Sequence, residues 1–362
     1  SMSAQSILFE LGTEELPAGE YESMAKALAS GVALGLGQHG LTIGAVKVLA
    51  TARRLSVLIE KVEERADDTE QEILGPPVAA ARADDGSWTP AAIGFAKKQG
   101  MSADELQIIQ TEKGDRLGIR KVAKGALCTD VLPAVVSQAV DGIPVSKRMR
   151  WGRERHEFLR PVQWLVLLYG AEAIDVSLFG LSSGRISRGH RFHGRSSVTI
   201  PHADAYEAAL REQFVIASVD ERKARIKTQI AQLASNNERV IVDENLLAEV
   251  TGLVEWPVAL RGGFDESFLS VPRQALISSM REHQKYFHIE SPDGDLLPSF
   301  ITISNIESKR AESVIYGNEK VIRPRLADAA FFFDTDKETT LASKARRLES
   351  VLFQRDLGTL AQ

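Results

Sequence analysis

The segment ILFELGTEELPA, residues 7–18, places a short apolar run directly before a cluster of residues that favour a helix start. Ile7–Leu11 is almost entirely apolar, which predicts a buried strand. Thr13 offers a capping hydroxyl, and the two glutamates after it suit a first helical turn. Pro17 is tolerated near a helix start. A strand that leads into a helix in this way predicts an α+β arrangement.

The surrounding sequence continues the same mixture of elements. The apolar spacing predicts a helix over Ala18–His39, followed by strands over Val46–Ala50 and Leu55–Val62. Further helices are predicted over Pro90–Gln99, Ser102–Leu106, Val131–Val140, Asp220–Ser235, Leu246–Gly252, Pro272–Lys285 and Arg325–Leu360. Further strands are predicted over Leu106–Thr111, Arg116–Val122, Val162–Leu168, Ile174–Phe179, Tyr286–Glu290 and Pro298–Ser304. We expect an α+β fold of several domains, with small mixed or antiparallel sheets packed with helices, ending in a helical segment.

The length of 362 residues predicts two or three domains. Residues 65–90 are charged and then rich in Ala, Pro, Asp and Gly, which is typical of a linker. The predicted division is an α+β unit at 2–64, a linker with a small helical and hairpin module at 65–125, a basic α+β segment at 126–200, a second α+β domain at 201–325, and a helical junction at 326–362.

Composition narrows the class of protein. Cys128 is the single cysteine, which excludes an internal disulfide and any zinc site with several cysteines. The longest apolar run, near Trp164–Tyr169, is far shorter than the ~18 residues that span a membrane. The first residues do not resemble a signal peptide, and Ser1 and Met2 resemble a cloning remnant. We therefore expect a cytoplasmic protein that does not bind membranes.

Charge is distributed unevenly along the chain. The whole sequence carries a net charge of −5, yet the stretch from Lys147 to Arg195 contains ten Lys or Arg against four Asp or Glu. A basic region on an acidic protein is typical of a surface that binds a polyanion. A solvated face that pairs with acidic neighbours in the fold explains the counts equally well.

The stretch SRGHRFHG, residues 187–194, concentrates this basic character. A metal site at His190 and His193 is disfavoured, because no Asp or Glu lies within six residues of either histidine and four arginines do. A nucleophilic Ser187 would need an orienting carboxylate, and the sequence shows none nearby.

Two interpretations of this stretch stay open. Arg188 and Arg191 can each hold two phosphate oxygens, the glycines permit close approach of the main chain, and Phe192 or His193 can stack on an unpaired base. Alternatively, the arginines form salt bridges within the fold and Phe192 lies in the core.

Two further clusters combine basic and aromatic residues. The first runs from Lys147 to Arg160 around Trp151, and it predicts either an RNA-facing loop or a surface loop whose tryptophan covers the core. The second is Gly317–Asp328, followed by Phe331–Phe333, which would cover most of a helix circumference and predict burial between two layers. Asp328, Asp334 and Asp336 could bind magnesium, but capping or salt-bridge roles are favoured. The candidate nucleic-acid contacts are Lys147, Arg148, Arg150, Trp151, Arg160, Arg188, His190, Arg191, His193, Lys320, Arg323 and Arg325.

Several common catalytic signatures are absent from the sequence. It contains no phosphate-binding loop of the Gly-x-x-x-x-Gly-Lys-Ser/Thr type and no Gly-x-Gly-x-x-Gly after a strand. It also lacks His-Glu-x-x-His and Gly-x-Ser-x-Gly. We predict no catalytic residue, no metal ligand and no cofactor bound by this chain.

The chain resembles the beta subunit of the bacterial heterotetrameric glycyl-tRNA synthetases over nearly its whole length. The resemblance rests on LFELGTEELPA (Leu8–Ala18), ATARRLSVLI (Ala50–Ile59), GFAKKQG (Gly94–Gly100), KRMRWG (Lys147–Gly152), FLRPVQWLV (Phe158–Val166), RGHRFH (Arg188–His193), LVEWPVAL (Leu253–Leu260), MREHQKYF (Met280–Phe287) and GNEKVIRPRLADAAFFFDTD (Gly317–Asp336). Many blocks in one order make the resemblance specific.

This resemblance implies a role in joining glycine to tRNA-Gly. In that family the alpha subunit carries the class II catalytic site and uses ATP and magnesium, while the beta subunit carries most of the tRNA-binding apparatus. The resemblance therefore implies an alpha-subunit partner and tRNA-Gly, no DNA, and no catalysis by this chain alone. The family also continues into an HD-like domain and an anticodon-binding domain, so we expect this sequence to be an N-terminal fragment. The alternatives are a scaffold for the alpha subunit with little tRNA contact, or a metal-dependent hydrolase that uses His190 and His193.

Overall fold

The computed structural model describes residues 3–145, 160–305 and 311–336. The helices are α1 (Tyr21–Gln38), α2 (Pro90–Lys98), α3 (Cys128–Asp141), α4 (Tyr206–Arg211), α5 (Val219–Leu233), α6 (Glu244–Leu253), α7 (Arg273–Ser278) and α8 (Ala311–Asp336). The strands are β1 (Gln5–Thr13), β2 (Val46–Thr51), β3 (Arg54–Val62), β4 (Thr69–Pro77), β5 (Gln107–Thr111), β6 (Gly114–Ala123), β7 (Val162–Tyr169), β8 (Glu172–Ala173), β9 (Ser177–Leu178), β10 (Leu181–Ser182), β11 (Ile186–Ser187), β12 (Val198–Thr199), β13 (Arg239–Val240), β14 (Val258–Gly263), β15 (Phe287–Glu290) and β16 (Leu296–Ser304). Short 3-10 turns lie at Val78–Ala80, Ala103–Glu105, Ala203–Ala205 and Glu266–Ser270, and a π-helical turn lies at Ser279–His283. The predicted α+β class is confirmed.

The central strand of the largest sheet is β1. This sheet is antiparallel, with the strand order β2-β3-β1-β7-β8. Ile7, Phe9 and Leu11 face a core shared with α1 and α3, while Leu8 faces a second core built partly by α4. Because both faces of the strand are buried, an uninterrupted apolar run is favoured over alternation.

The predicted helix start in TEELP is wrong. The amide N–H of Thr13 donates to the carbonyl of Arg53, and the amide of Leu16 donates to Ala52, so this backbone is held by the β2–β3 turn. Helix α1 therefore begins only at Tyr21. The two glutamates between Thr13 and Leu16 are consequently free of a helical role and face outward.

The second large sheet has the order β13-β15-β16-β14 and lies between two helical layers. Helices α5 and α6 cover one face, and α7 and α8 cover the other. The predicted hairpin over Tyr286–Glu290 and Pro298–Ser304 is confirmed as β15 and β16. The side chain of Phe331 is 65% exposed, so the predicted burial of the phenylalanine run is wrong at this residue. The side chains of residues 332–336 lie outside the described part.

The linker prediction for residues 65–90 is wrong in its central part. Strand β4 occupies Thr69–Pro77 and pairs with β6, which in turn pairs with β5, so the three strands form a small sheet. Composition misleads here because the strand is exposed along most of its length and contains few apolar residues. The predicted strand over Ile174–Phe179 is reduced to Ser177–Leu178, which pairs only with the next two-residue strand.

The second core, which contains Leu8, continues past residue 200, where the sequence predicts a domain limit. Ile200, Tyr206, Leu210 and Val215 are fully buried against the five-stranded sheet. The division of the chain into domains stays a prediction. In the described ranges, no helix combines the length and apolar character that crossing a membrane would require.

The single cysteine offers a test of this packing. Cys128 is fully buried at the start of α3, and burial raises the pKa of its thiol to about 12. Only the thiolate reacts, so we expect native protein at pH 8 to react with a thiol reagent at least ~100-fold more slowly than protein unfolded in urea. Absorbance kinetics with an aromatic disulfide measure both rates. Rapid stoichiometric labelling of native protein would contradict the packing of α3.

Candidate nucleic-acid interface

The loop that contains SRGHRFHG connects β11 to β12 and is closed by its own backbone. The amide of Gly189 donates to Arg195, at 2.8 Å, and the amide of Gly194 donates to the carbonyl of His190, at 2.9 Å. A Cβ atom on Gly194 would lie 2.3 Å from the His190 nitrogen and 2.5 Å from the carbonyl oxygen of Gln213. The glycine at 194 is therefore required for closing the loop, which is a structural role.

His190 points into the protein. Its side chain is 1% exposed, and its Nδ1 accepts hydrogen bonds from the amides of Phe192, at 3.1 Å, and His193, at 3.3 Å. Its Nε2 is buried and has no hydrogen-bond partner among the described residues. Burial lowers the pKa of the His190 ring, so the ring is neutral at pH 7. Its hydrogen bonds with the amides of Phe192 and His193 stabilise the loop.

The described residues contain no group of three or more His, Cys, Asp or Glu side chains arranged to hold a metal ion. The rings of His190 and His193 lie 5.2 Å apart, centroid to centroid. Because Nδ1 of His190 is already occupied by backbone amides, these two histidines have no geometry that favours a shared metal.

Three consecutive side chains at the tip of the loop point outward. Arg191 is 61% exposed and forms an ion pair of 3.3 Å with Glu15, which is equally exposed. Phe192 is 68% exposed, so the alternative in which it lies in the core is wrong. His193 is exposed and meets the edge of Phe214 at 6.0 Å between centroids. We call Arg191, Phe192 and His193 the loop tip.

Two other predicted basic residues lie beside the loop tip. The side chain of Arg160 donates to the backbone carbonyl of Glu15, at 3.3 Å, the same residue whose carboxylate pairs with Arg191. Arg188 is half-buried, donates to Gln163 at 2.9 Å and lies 4.9 Å from the centroid of the Trp164 ring. The fold thus gathers arginines that are separated in sequence around the start of β7.

The remaining predicted contacts fall elsewhere. Lys320 and Arg323 are exposed and Arg325 is half-buried on α8, which packs on the four-stranded sheet and not on the loop. The other candidates lie outside the described residues: Lys147, Arg148, Arg150 and Trp151.

A buried ionic network lies beneath the loop, and the candidate list misses it. Arg54 is fully buried; its Nε donates to Glu255 at 3.1 Å, and its Nη1 lies 3.5 Å from a carboxylate oxygen of Glu10. Nη1 also donates to the backbone carbonyl of Arg188, at 2.6 Å. The neighbouring Arg53 donates to Glu255, at 3.0 Å, and to the carbonyl of Gly189, at 2.9 Å. The β2–β3 turn therefore holds the loop by its main chain.

Glu10 is the second carboxylate of this network. It accepts hydrogen bonds from the Trp164 indole nitrogen, at 2.5 Å, and from the Tyr206 hydroxyl. Burial, reinforced by the charge of Glu10, raises the pKa of Tyr206 well above its ordinary value, so the hydroxyl keeps its proton. Charged residues within otherwise apolar segments, such as Glu10 in ILFEL and Glu255 in LVEWPV, were the available sequence signal for this network.

Glu255 provides a test of the network. Replacing Glu255 with Gln leaves two arginines facing one carboxylate, and we expect the free energy of unfolding to fall by about 3–5 kcal/mol, because an uncompensated buried charge remains. Urea unfolding at pH 7 measures this loss. Glu15→Gln is the matched control, since it removes the exposed partner of Arg191 and should cost less than about 1 kcal/mol. Equal losses in the two variants would contradict the assigned role.

The same carboxylate predicts a pH dependence. Burial raises the pKa of Glu255, but the charges of Arg54 and Arg53 and a hydrogen bond from Thr51 outweigh burial and hold it below its ordinary value of 4.5. Its stabilising contribution is therefore present above pH 4.5 and is lost as the pH falls through the lower folded-state pKa. We expect the stability difference between wild type and Glu255→Gln to shrink below pH 4.5 in a urea-unfolding series. An unchanged difference at pH 3 would contradict this.

Comparison with known proteins shows the family to which the chain belongs. The family model described as glycyl-tRNA synthetase beta subunit matches residues 7–362. The chain is 50% identical over 361 residues to the glycine–tRNA ligase beta subunit of Chromohalobacter salexigens, and 44% identical over 362 residues to that of Marinobacter nauticus. It is 45% identical over 360 residues to that of Colwellia psychrerythraea. Each alignment covers 99% of this chain and 52% of the relative, so the chain spans about half the length of these curated relatives. This chain belongs to the glycyl-tRNA synthetase beta subunit family.

Proposed function

We propose that this chain is the tRNA-binding and assembly part of a glycine–tRNA ligase beta subunit, acting in the cytoplasm. It supports the ATP-dependent attachment of glycine to tRNA-Gly by an alpha subunit. Family membership supports the reaction and the partners. The exposed loop tip of Arg191, Phe192 and His193 is the observation that carries the proposal at the level of residues.

The chemistry of the loop tip suits RNA. A guanidinium can donate two hydrogen bonds to a phosphate, and an exposed aromatic ring can stack on an unpaired base. The ion pair of Arg191 with Glu15 is exposed on both sides, so it contributes less than about 1 kcal/mol and a phosphate can replace it. The buried ionic network beneath the loop holds the loop main chain in place. The loop tip therefore projects from a rigid part of the fold.

The proposal includes the other basic residues that the sequence indicates. Arg160 and Arg188 lie next to the loop tip, and they extend its positive charge toward β7. Lys320, Arg323 and Arg325 would form a separate contact on α8. Binding of ATP and magnesium, and the chemical step itself, are assigned to the alpha subunit, and this chain contributes no catalytic residue in the proposal.

Salt-dependent RNA binding tests the loop tip. We expect Arg191→Gln to flatten the log–log salt slope of tRNA-Gly binding by roughly 0.7–0.9, the value for one phosphate contact. Phe192→Ala should weaken binding about fivefold or more with little change in slope, because stacking on a base carries no charge. Fluorescence anisotropy with labelled tRNA-Gly and a non-cognate tRNA, over a salt series, measures both effects.

Arg120→Gln is the matched control, since Arg120 forms a similarly exposed ion pair with Glu72 in the small sheet. A double variant of Arg148 and Arg150 to Gln tests the cluster outside the described residues. If the loop-tip variants bind tRNA as wild type does but no longer capture an alpha subunit, the chain serves as a scaffold and the RNA assignment is wrong.

A further inference from the structure

A groove lies beside the loop, between the start of β7 and the β10–β12 segment. Its volume is about 430 Å³. Among the described residues that line it, Arg185 and Arg188 are the only charged ones, and none is Asp, Glu or His. Ser182, Ser196 and Ser197 add hydroxyl groups. The lining therefore combines two positive charges with hydrogen-bond donors, which suits an anion.

Arg188 is held in place within this groove. Its guanidinium donates to the side-chain oxygen of Gln163, at 2.9 Å, and lies over the ring of Trp164, at 4.9 Å from the centroid. Trp164 is itself fixed by the hydrogen bond from its indole nitrogen to Glu10. Among the described residues no carboxylate forms an ion pair with Arg188. Its charge is therefore oriented but not neutralised, and its other N–H groups can donate to a ligand.

Arg185 contributes positive charge to the groove, but its guanidinium already donates hydrogen bonds to backbone carbonyls. One nitrogen of its guanidinium donates to the carbonyls of Ile200 and Pro201, each at 3.2 Å, and another donates to the carbonyl of Ala171, at 2.7 Å. These contacts fix its position without neutralising its charge, because backbone carbonyls are uncharged. An anion in the groove would feel both arginines.

A second cleft shows the opposite arrangement. It has a volume of about 270 Å³ and is also lined by two arginines, Arg273 and Arg281. There Arg281 pairs with Asp243, at 3.0 Å, and Arg273 pairs with Glu290. Because carboxylates already neutralise both arginines, this cleft does not favour an anion. The groove at Arg188, in contrast, keeps an arginine that no described carboxylate neutralises.

We propose that the groove beside Arg188 binds a phosphate group through the Arg188 guanidinium and the neighbouring serine hydroxyls. The phosphate is either inorganic phosphate or a phosphodiester of bound RNA. In the second case the inference rests on the proposed function; in the first it goes beyond it. The site is distinct from the loop tip, because Arg188 faces the groove while Arg191 faces solvent.

Equilibrium dialysis with radiolabelled inorganic phosphate at low ionic strength tests the groove. We expect saturable binding of about one phosphate per wild-type chain, and at least about tenfold weaker binding by Arg188→Gln. Arg188→Lys should lie between the two, because it keeps the charge but loses the planar fork. Arg82→Gln is the matched control: Arg82 also lies over a tryptophan, 3.8 Å from the centroid of Trp88, and donates to a backbone carbonyl, but it lies outside the groove, in an isolated bridge with Trp88.

Binding of tRNA-Gly by the same variants identifies the source of the phosphate. Loss of both ligands in Arg188→Gln, with competition between them, indicates a phosphodiester of RNA. Loss of phosphate alone indicates a site for free phosphate. If phosphate binds Arg188→Gln and wild type equally, or does not bind wild type, the groove proposal is wrong even where tRNA binding depends on the loop tip. If wild type binds phosphate through Arg188 but binds no tRNA, the proposed function fails and the groove stands. Circular dichroism and thermal unfolding of each variant confirm that it is folded.

Discussion

The fully buried charge of Arg54 constrains the structure more than any other interaction described above. An ionised group in the interior is tolerated only when charges and hydrogen bonds of suitable geometry surround it. Arg54 receives these from Glu10 on the central strand, from Glu255 after α6 and from the main chain at Arg188. Burial lowers the pKa of Arg54, yet the two carboxylates outweigh burial and raise it, so the guanidinium stays charged. Three distant parts of the chain must therefore meet before this charge is stable.

This constraint explains why the two halves of SRGHRFHG, residues 187–194, make different contacts. The first half of the stretch is tied to the network: Ser187 accepts from Arg54, at 3.2 Å, and the carbonyl of Gly189 accepts from Arg53. The second half, from Arg191 to His193, has no such tie and faces outward. The first half of the stretch therefore has a structural role, and the RNA contact proposed for the second half stays a prediction.

The sequence was sufficient for elements whose pattern reflects local burial. The apolar run Ile7–Leu11 and the hairpin of β15 and β16 were predicted correctly, because their side-chain patterns are set by packing on the strands themselves. The helix start at TEELP failed, since its favourable capping residues compete with hydrogen bonds from a turn 40 residues away along the chain. No local pattern reveals such a competitor.

Prediction of the candidate site from the sequence is limited in the same way. A count of basic residues found Arg188 and Arg191 but could not separate a half-buried arginine over Trp164 from an exposed one at a loop tip. The candidate list also omitted Arg53, Arg54 and Arg185, because the role of each depends on partners that only the fold supplies. Charge counts identify a region; which charges are neutralised is decided by long-range contacts.

The central position of β1 has a consequence for the newly made chain. One edge of β1 pairs with β3 soon after synthesis, but the other pairs with β7, and the contact between Glu10 and Trp164 spans 154 residues. At ribosomal rates of about 5–20 residues per second, that apolar edge waits on the order of ten to thirty seconds for its partner. An unpaired strand edge of this kind is a template for pairing with other chains. The central strand of the folded sheet is therefore open to pairing with other chains while the protein is being made.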